Sequence, residues 1–129
     1  MRLYELARYN SSKLPAHRQL HNWSVSLEQD VLDSDLVFHK ITHHGTQMLT
    51  WLSPPDDPCK VLTASGWLGW GSVSDQNGMN EFLAQLDIPV YYSRIKGAHF
   101  IAHEQDKDFP EVIIVNFGGF SYQPSLKVG

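Results

Sequence analysis

Seven histidines stand in this chain, His17, His21, His39, His43, His44, His99 and His103. Neutral imidazole is the commonest metal ligand, and three such rings around zinc with one open position make a hydrolytic centre. Side chains four apart on a strand share a face, so His39 falls with His43 and His99 with His103. Were those two segments neighbours, a three-histidine site would assemble. His17 and His21 would share a face only on a helix. The chain holds neither His-Glu-x-x-His nor a paired Cys-x-x-Cys. No tightly bound transition metal and no cofactor is therefore expected, and His39, His43, His99 and His103 are the candidate ligands should a metal bind.

Other nucleophiles lack their partners. Cys59 follows Pro58 with no adjacent base and reads as a small, half-buried residue. Ser72 and Ser74 are not set in Gly-x-Ser-x-Gly, the strained elbow of serine hydrolases. The glycines from Gly66 to Gly71 are not followed by Gly-Lys-Ser/Thr, so they do not form a phosphate-cradling P-loop. Asp30, Asp33, Asp35, Asp56 and Asp57 are hard oxygen donors, but loop carboxylates of this kind ordinarily face water. No catalytic residue is assigned.

The most unusual run is residues 65–80, which combines Gly66, Gly69 and Gly71 with Trp67 and Trp70, then short polar side chains. On an extended chain residues 67 and 70 point to opposite faces. Trp67 is therefore expected in the core and Trp70 near the surface, where an indole beside glycines makes a binding anchor. Trp67, Trp70, Ser72, Ser74, Asp75, Asn77 and Asn80, with Arg94 and Lys96 farther on, form the candidate binding set.

The elements that would position these residues follow from periodicity. Ser74 can cap a helix, with Asp75 in a first turn that favours negative charge. Met79, Phe82, Leu83 and Leu86 fall at i, i+3, i+4 and i+7, and Pro89 ends the pattern. Upstream, Trp23, Val25 and Leu27 alternate with polar residues as a half-buried strand does. Residues 36–43 and 46–53 flank His44-Gly45 and predict a hairpin. Pro54, Pro55 and Pro58 then stop pairing. Residues 59–64 predict another strand, residues 89–94 and 99–103 a second hairpin about Lys96-Gly97, and residues 112–117 an interior strand covered on both faces. Phe82, Leu83, Leu86, Val112, Ile114 and Val115 are the expected core, whereas the tail beyond Gly119 offers few core-forming residues. These elements predict an α+β fold, mainly an antiparallel sheet of about six strands with one main helix packed on one face, in a single globular domain over residues 1–129.

Composition narrows the function classes. The 129 residues are 42% hydrophobic and 19% charged, the balance of an ordinary globular chain. A net charge of −4 argues against a generic polyanion binder. A lone cysteine excludes an intrachain disulfide. Glu5 and Arg8 interrupt the first apolar residues as a signal peptide would not, and no run reaches the roughly 18 apolar residues of a membrane span. A cytoplasmic setting is expected, with no membrane partner.

The block Gly66-Trp67, Ser72-Val73-Ser74-Asp75 and Met79-Asn80, with the hairpin after it, resembles a pattern in small bacteriophage-encoded proteins of uncharacterised function. Those share a Gly-Trp step, a Ser/Thr-rich turn, a helix with an early Asn and a hairpin, and the likeness covers roughly residues 36–103. Asp75, Gln76 and Asn77 stand where that pattern usually has basic residues near the helix start, which weighs against a nucleic-acid role. The resemblance implies a viral accessory protein in the host cytoplasm. Three classes then stand in order. The first is a non-catalytic protein-binding module that modulates or inhibits a host factor, its partner an unknown host or viral protein. The second is a single-stranded nucleic-acid binder that stacks bases on Trp67, Trp70, Tyr91, Tyr92 and Phe100, with Arg94 and Lys96 on phosphates. The third is the histidine-metal hydrolase.

Overall fold

The computed structural model describes residues 2–95, 98–103, 112–116 and 118–124, leaving aside the side chains at 94–103 and 114–116. Its elements are α1 (Glu5–Arg8), β1 (Ala16–Leu20), β2 (Trp23–Gln29), β3 (Val37–His43), β4 (Thr46–Ser53), β5 (Thr63–Trp67), α2 (Val73–Gln85), β6 (Val90–Ile95), β7 (Ala98–His103), β8 (Val112–Asn116) and β9 (Gly119–Tyr122). The fold is α+β and mostly antiparallel sheet. Seven strands run in the order β1-β2-β3-β4-β5-β9-β8, and β6 pairs with β7 in a separate two-stranded sheet. The described residues thus hold nine strands where about six are expected.

Strands β2 and β3 follow from strict alternation. Trp23, Val25 and Leu27 are buried, and so are Val37, His39, Ile41 and His43. Their register sets Trp23 opposite His43, Val25 opposite Ile41 and Leu27 opposite His39. Both histidines therefore point into the core, on the same face, as their spacing predicts. The β3–β4 turn is the expected two-residue loop. His44 at φ 51° and Gly45 at φ 79° both lie in the left-handed region, which matches the twist of the flanking strands.

The helix is capped two residues earlier than expected. The Ser72 hydroxyl accepts from Asp75 N–H at 3.1 Å, and the Ser72 N–H donates to Asp75 Oδ2 at 3.2 Å. This reciprocal capping box outcompetes a cap at Ser74, because it satisfies two backbone donors at once. Met79, Phe82, Leu83 and Leu86 are all buried as the periodicity predicts. Gly78 has a packing reason within the helix, since a Cβ there would run into the Trp23 ring. The Trp23 ring in turn meets Phe82 edge-on, with centroids 5.2 Å apart. These contacts press α2 against the β2–β3 end of the sheet.

Three expectations are corrected. The strand predicted over residues 59–64 begins only at Thr63, because Pro58 and the turn from Asp57 O to Lys60 N hold the chain out of the ladder. Strand β8 is an edge strand rather than an interior one, and Ile113 is 62% exposed. The interior place belongs to β9, drawn from the tail that offers few core-forming residues. Its Phe120 is fully buried over Gly66, where a Cβ would collide with the ring. The expected core positions Ile114 and Val115 have side chains outside the described set. Among the described residues no helix is long and apolar enough to cross a membrane.

Candidate functional site

Strand β3 delivers His43 to the end of the sheet, and the first turn of α2 delivers Asp75 to meet it. His43 Nδ1 lies 2.5 Å from Asp75 Oδ1, and both side chains are almost wholly enclosed. A carboxylate only accepts, so the shared proton sits on Nδ1 when the ring donates. One face of the imidazole stacks on Trp23, with centroids 4.0 Å apart and planes 10° from parallel. The His44 ring lies 4.3 Å away, tilted by 44°. Imidazole Nε2 has no hydrogen-bond partner among the described residues. His43 lines a cleft of about 290 Å³ with His44, Thr46, Trp70, Ser74 and Asp75, and a neighbouring one of about 410 Å³ with Leu20, His21 and Trp23.

Residues 68–71 form the rim. Leu68 is buried and its N–H donates to Gly118 O at 2.9 Å, while Gly71 N–H closes a turn onto Leu68 O at 3.3 Å. Gly69 at φ 68° and Gly71 at φ 73° adopt backbone that side chains resist. Trp70 stands between them, 88% exposed. The capping box pins the chain immediately after. The indole is thus presented by backbone fixed on both sides.

The predicted binding residues divide. Trp70, Ser72, Ser74 and Asp75 line one cleft together. Trp67 is 38% exposed at the end of β5, so it is less exposed than Trp70 but is not a core residue as expected. Asp75 and Ser72 are tied up in the capping box, and the Ser72 and Ser74 hydroxyls lie 3.1 Å apart. Asn77 is exposed on α2. Asn80 is committed to the fold: its amide donates to Tyr92 O at 3.1 Å and accepts from Tyr92 N–H at 2.7 Å, which ties α2 to β6. The side chain of Arg94 and the whole of Lys96 lie outside the described residues, as do the side chains of His99 and His103.

His39 and His43, the candidate metal ligands whose side chains are described, are not gathered into a metal site. Among the described residues no group of three His, Cys, Asp or Glu is placed to hold an ion. His39 is fully buried, stacked on Trp51 at 4.4 Å, with Nε2 2.7 Å from the Ser53 hydroxyl. Burial pushes its pKa down from 6.5 to about 4. The β6–β7 hairpin carrying His99 and His103 belongs to the other sheet.

Thr46 is missed by sequence reasoning, as is the pairing of His43 with Asp75, and His44 is read only as a hairpin histidine. A Ser-x-x-Asp step signals the capping box, but no local pattern tells that a histidine 32 residues upstream will close onto it. A wider groove of about 550 Å³, among Asn10, Ser12, Gln29, Pro55 and Asp56, has among the described residues neither an exposed aromatic ring nor a paired titratable group. No protein-family model, curated protein or solved structure matches the chain.

Proposed function

We propose that this chain is a protein-binding module whose contact surface is centred on Trp70, an accessory protein of the viral kind that the sequence pattern implies. The exposure of Trp70 on a fixed turn carries the reading. Interface hot spots are enriched in tryptophan, and a backbone already fixed in a turn has less freedom to lose when a partner covers its side chain. Val73, two residues beyond the turn, is a second exposed apolar side chain at 67%. A nucleic-acid role draws no support from this surface, since the carboxylate of Asp75 lines the cleft with Trp70 and no lysine or arginine lines it among the described residues.

Site-directed photo-crosslinking tests the reading. With benzoylphenylalanine at position 73, a discrete crosslinked protein is expected from cells producing the chain, and Trp70→Ala in the same chain abolishes it. The probe at exposed Lys13 should give none. Equal products from both positions, or a position-73 product that survives Trp70→Ala, would defeat the proposal.

A further inference from the structure

The cleft under Trp70 has a consistent chemistry. Among the described residues its polar side chains are the carboxylate of Asp75, the imidazoles of His43 and His44, and the hydroxyls of Thr46, Ser72 and Ser74. Among the described residues Asp75 is the one Asp, Glu, Lys or Arg side chain there, and the chain as a whole carries −4 with its histidines neutral. An imidazole that donates from Nδ1 to Asp75 and carries no second proton has a lone pair at Nε2, and no bond to that atom is formed among the described residues. The ring is 4% exposed and held against Trp23, so it cannot turn away to find one without breaking the stack and the bond to Asp75.

A helix N-terminus ordinarily favours an anion. Here Asp75 already supplies that negative charge, and its carboxylate closes the Ser72 N–H. A second anion would face Asp75 at close range. A cation with several donors meets the opposite situation. Its stem can lie on the exposed indole of Trp70, its charge over the ring face, and its donors toward Nε2 and the hydroxyls. A planar guanidinium stacks on aromatic rings and spreads five donors, which a lysine ammonium does not.

We infer that the cleft between Trp70 and His43 receives an arginine side chain of the partner protein. This rests on the protein-binding reading and adds the chemistry of the contact.

The test is a titration of the intact chain at about pH 8, above the ordinary histidine range, followed by NMR at the Trp70 indole and the His43 ring. The probes are N-acetyl-arginine amide, its uncharged isostere N-acetyl-citrulline amide, and an arginine flanked by alanines in a short peptide. Saturable shifts at both rings are expected with either arginine probe, the peptide binding at least as tightly as the amide. Citrulline should bind at least tenfold more weakly. Asp75→Asn, which keeps a capping side chain, should weaken arginine binding at least fivefold. Trp70→Ala, at an exposed position, gives the same loss and serves where the Asp75 variant does not fold. Shifts absent from both rings, or equal affinity for citrulline, would overturn the assignment. A peptide weaker than the blocked amino acid would overturn the protein source and favour a free cation. If the position-73 crosslink still depends on Trp70 while the arginine probes leave His43 unmoved, the module reading stands and the pocket assignment falls.

Discussion

His39 and His43 share a strand face, yet the protein uses them differently. His39 sits beside a neutral hydroxyl, so burial is unopposed and its ring stays neutral down to about 4. The unfolded chain takes up that proton near 6.5. Between these values the unfolded state binds the proton and the folded state does not, so stability falls as pH drops from about 6.5 to about 4 and levels below that. The full loss from this group is on the order of 3 kcal/mol. Urea melts at stepped pH should show it, and His39→Gln, which cannot titrate, should flatten that part of the profile. An unchanged slope in the variant would mean that His39 is not buried as described. The tryptophans differ as sharply. Trp70→Ala should change stability by no more than about 0.5 kcal/mol, as at other exposed positions. Trp67→Ala should cost more than that, but less than the roughly 3–5 kcal/mol of a buried tryptophan, since the ring is only partly covered. Thermal melts of the two single variants check both, and a larger loss at Trp70 would remove the exposed anchor. The order of exposure of the two rings agrees with strand alternation, but its cause is different: β5 ends at Trp67 and Trp70 stands on the glycine turn beyond it. That Trp67 is also partly open was not legible in the sequence, because it depends on β5 ending there.

At the scale of elements, α2 ties the site together. Its buried stripe was legible, since an apolar spacing of three and four needs no tertiary information. Its start was not placed correctly, because Ser72 and Ser74 are equal as local caps until Asp75 is seen to answer Ser72. Ser72→Ala should cost about 0.5–2 kcal/mol, the range of a lost N-cap. Ser74→Ala should cost little, as its hydroxyl meets only Ser72. Reversal of that order by denaturant melts would restore Ser74 as the cap. Leu83→Ala should cost about 2–5 kcal/mol, given its complete burial. A loss below about 1 kcal/mol would place the buried face elsewhere. The hairpin at His44-Gly45 was legible from turn chemistry. The exchange of β8 and β9 was not. The Val112–Asn116 run is apolar enough for an interior strand, and only the pairing of Phe120 over Gly66 shows that the shorter β9 lies inside.

At the scale of the molecule, a seven-stranded sheet brings residue 43 at the end of one strand to residue 75 at the start of the helix, and the glycine turn before that helix sets Trp70 at their edge. No local sequence pattern contains this meeting, because it depends on long-range register. As an interface anchor on an independently stable scaffold, Trp70 should govern affinity without governing stability. Once a crosslinked partner is in hand, its affinity for the native chain and for Trp70→Ala should be compared by calorimetry, with melts of both chains alongside. The predicted result is binding at least tenfold weaker in the variant, about 1.4 kcal/mol or more, with unchanged melting. Equal affinity of the two chains for that partner would contradict the account.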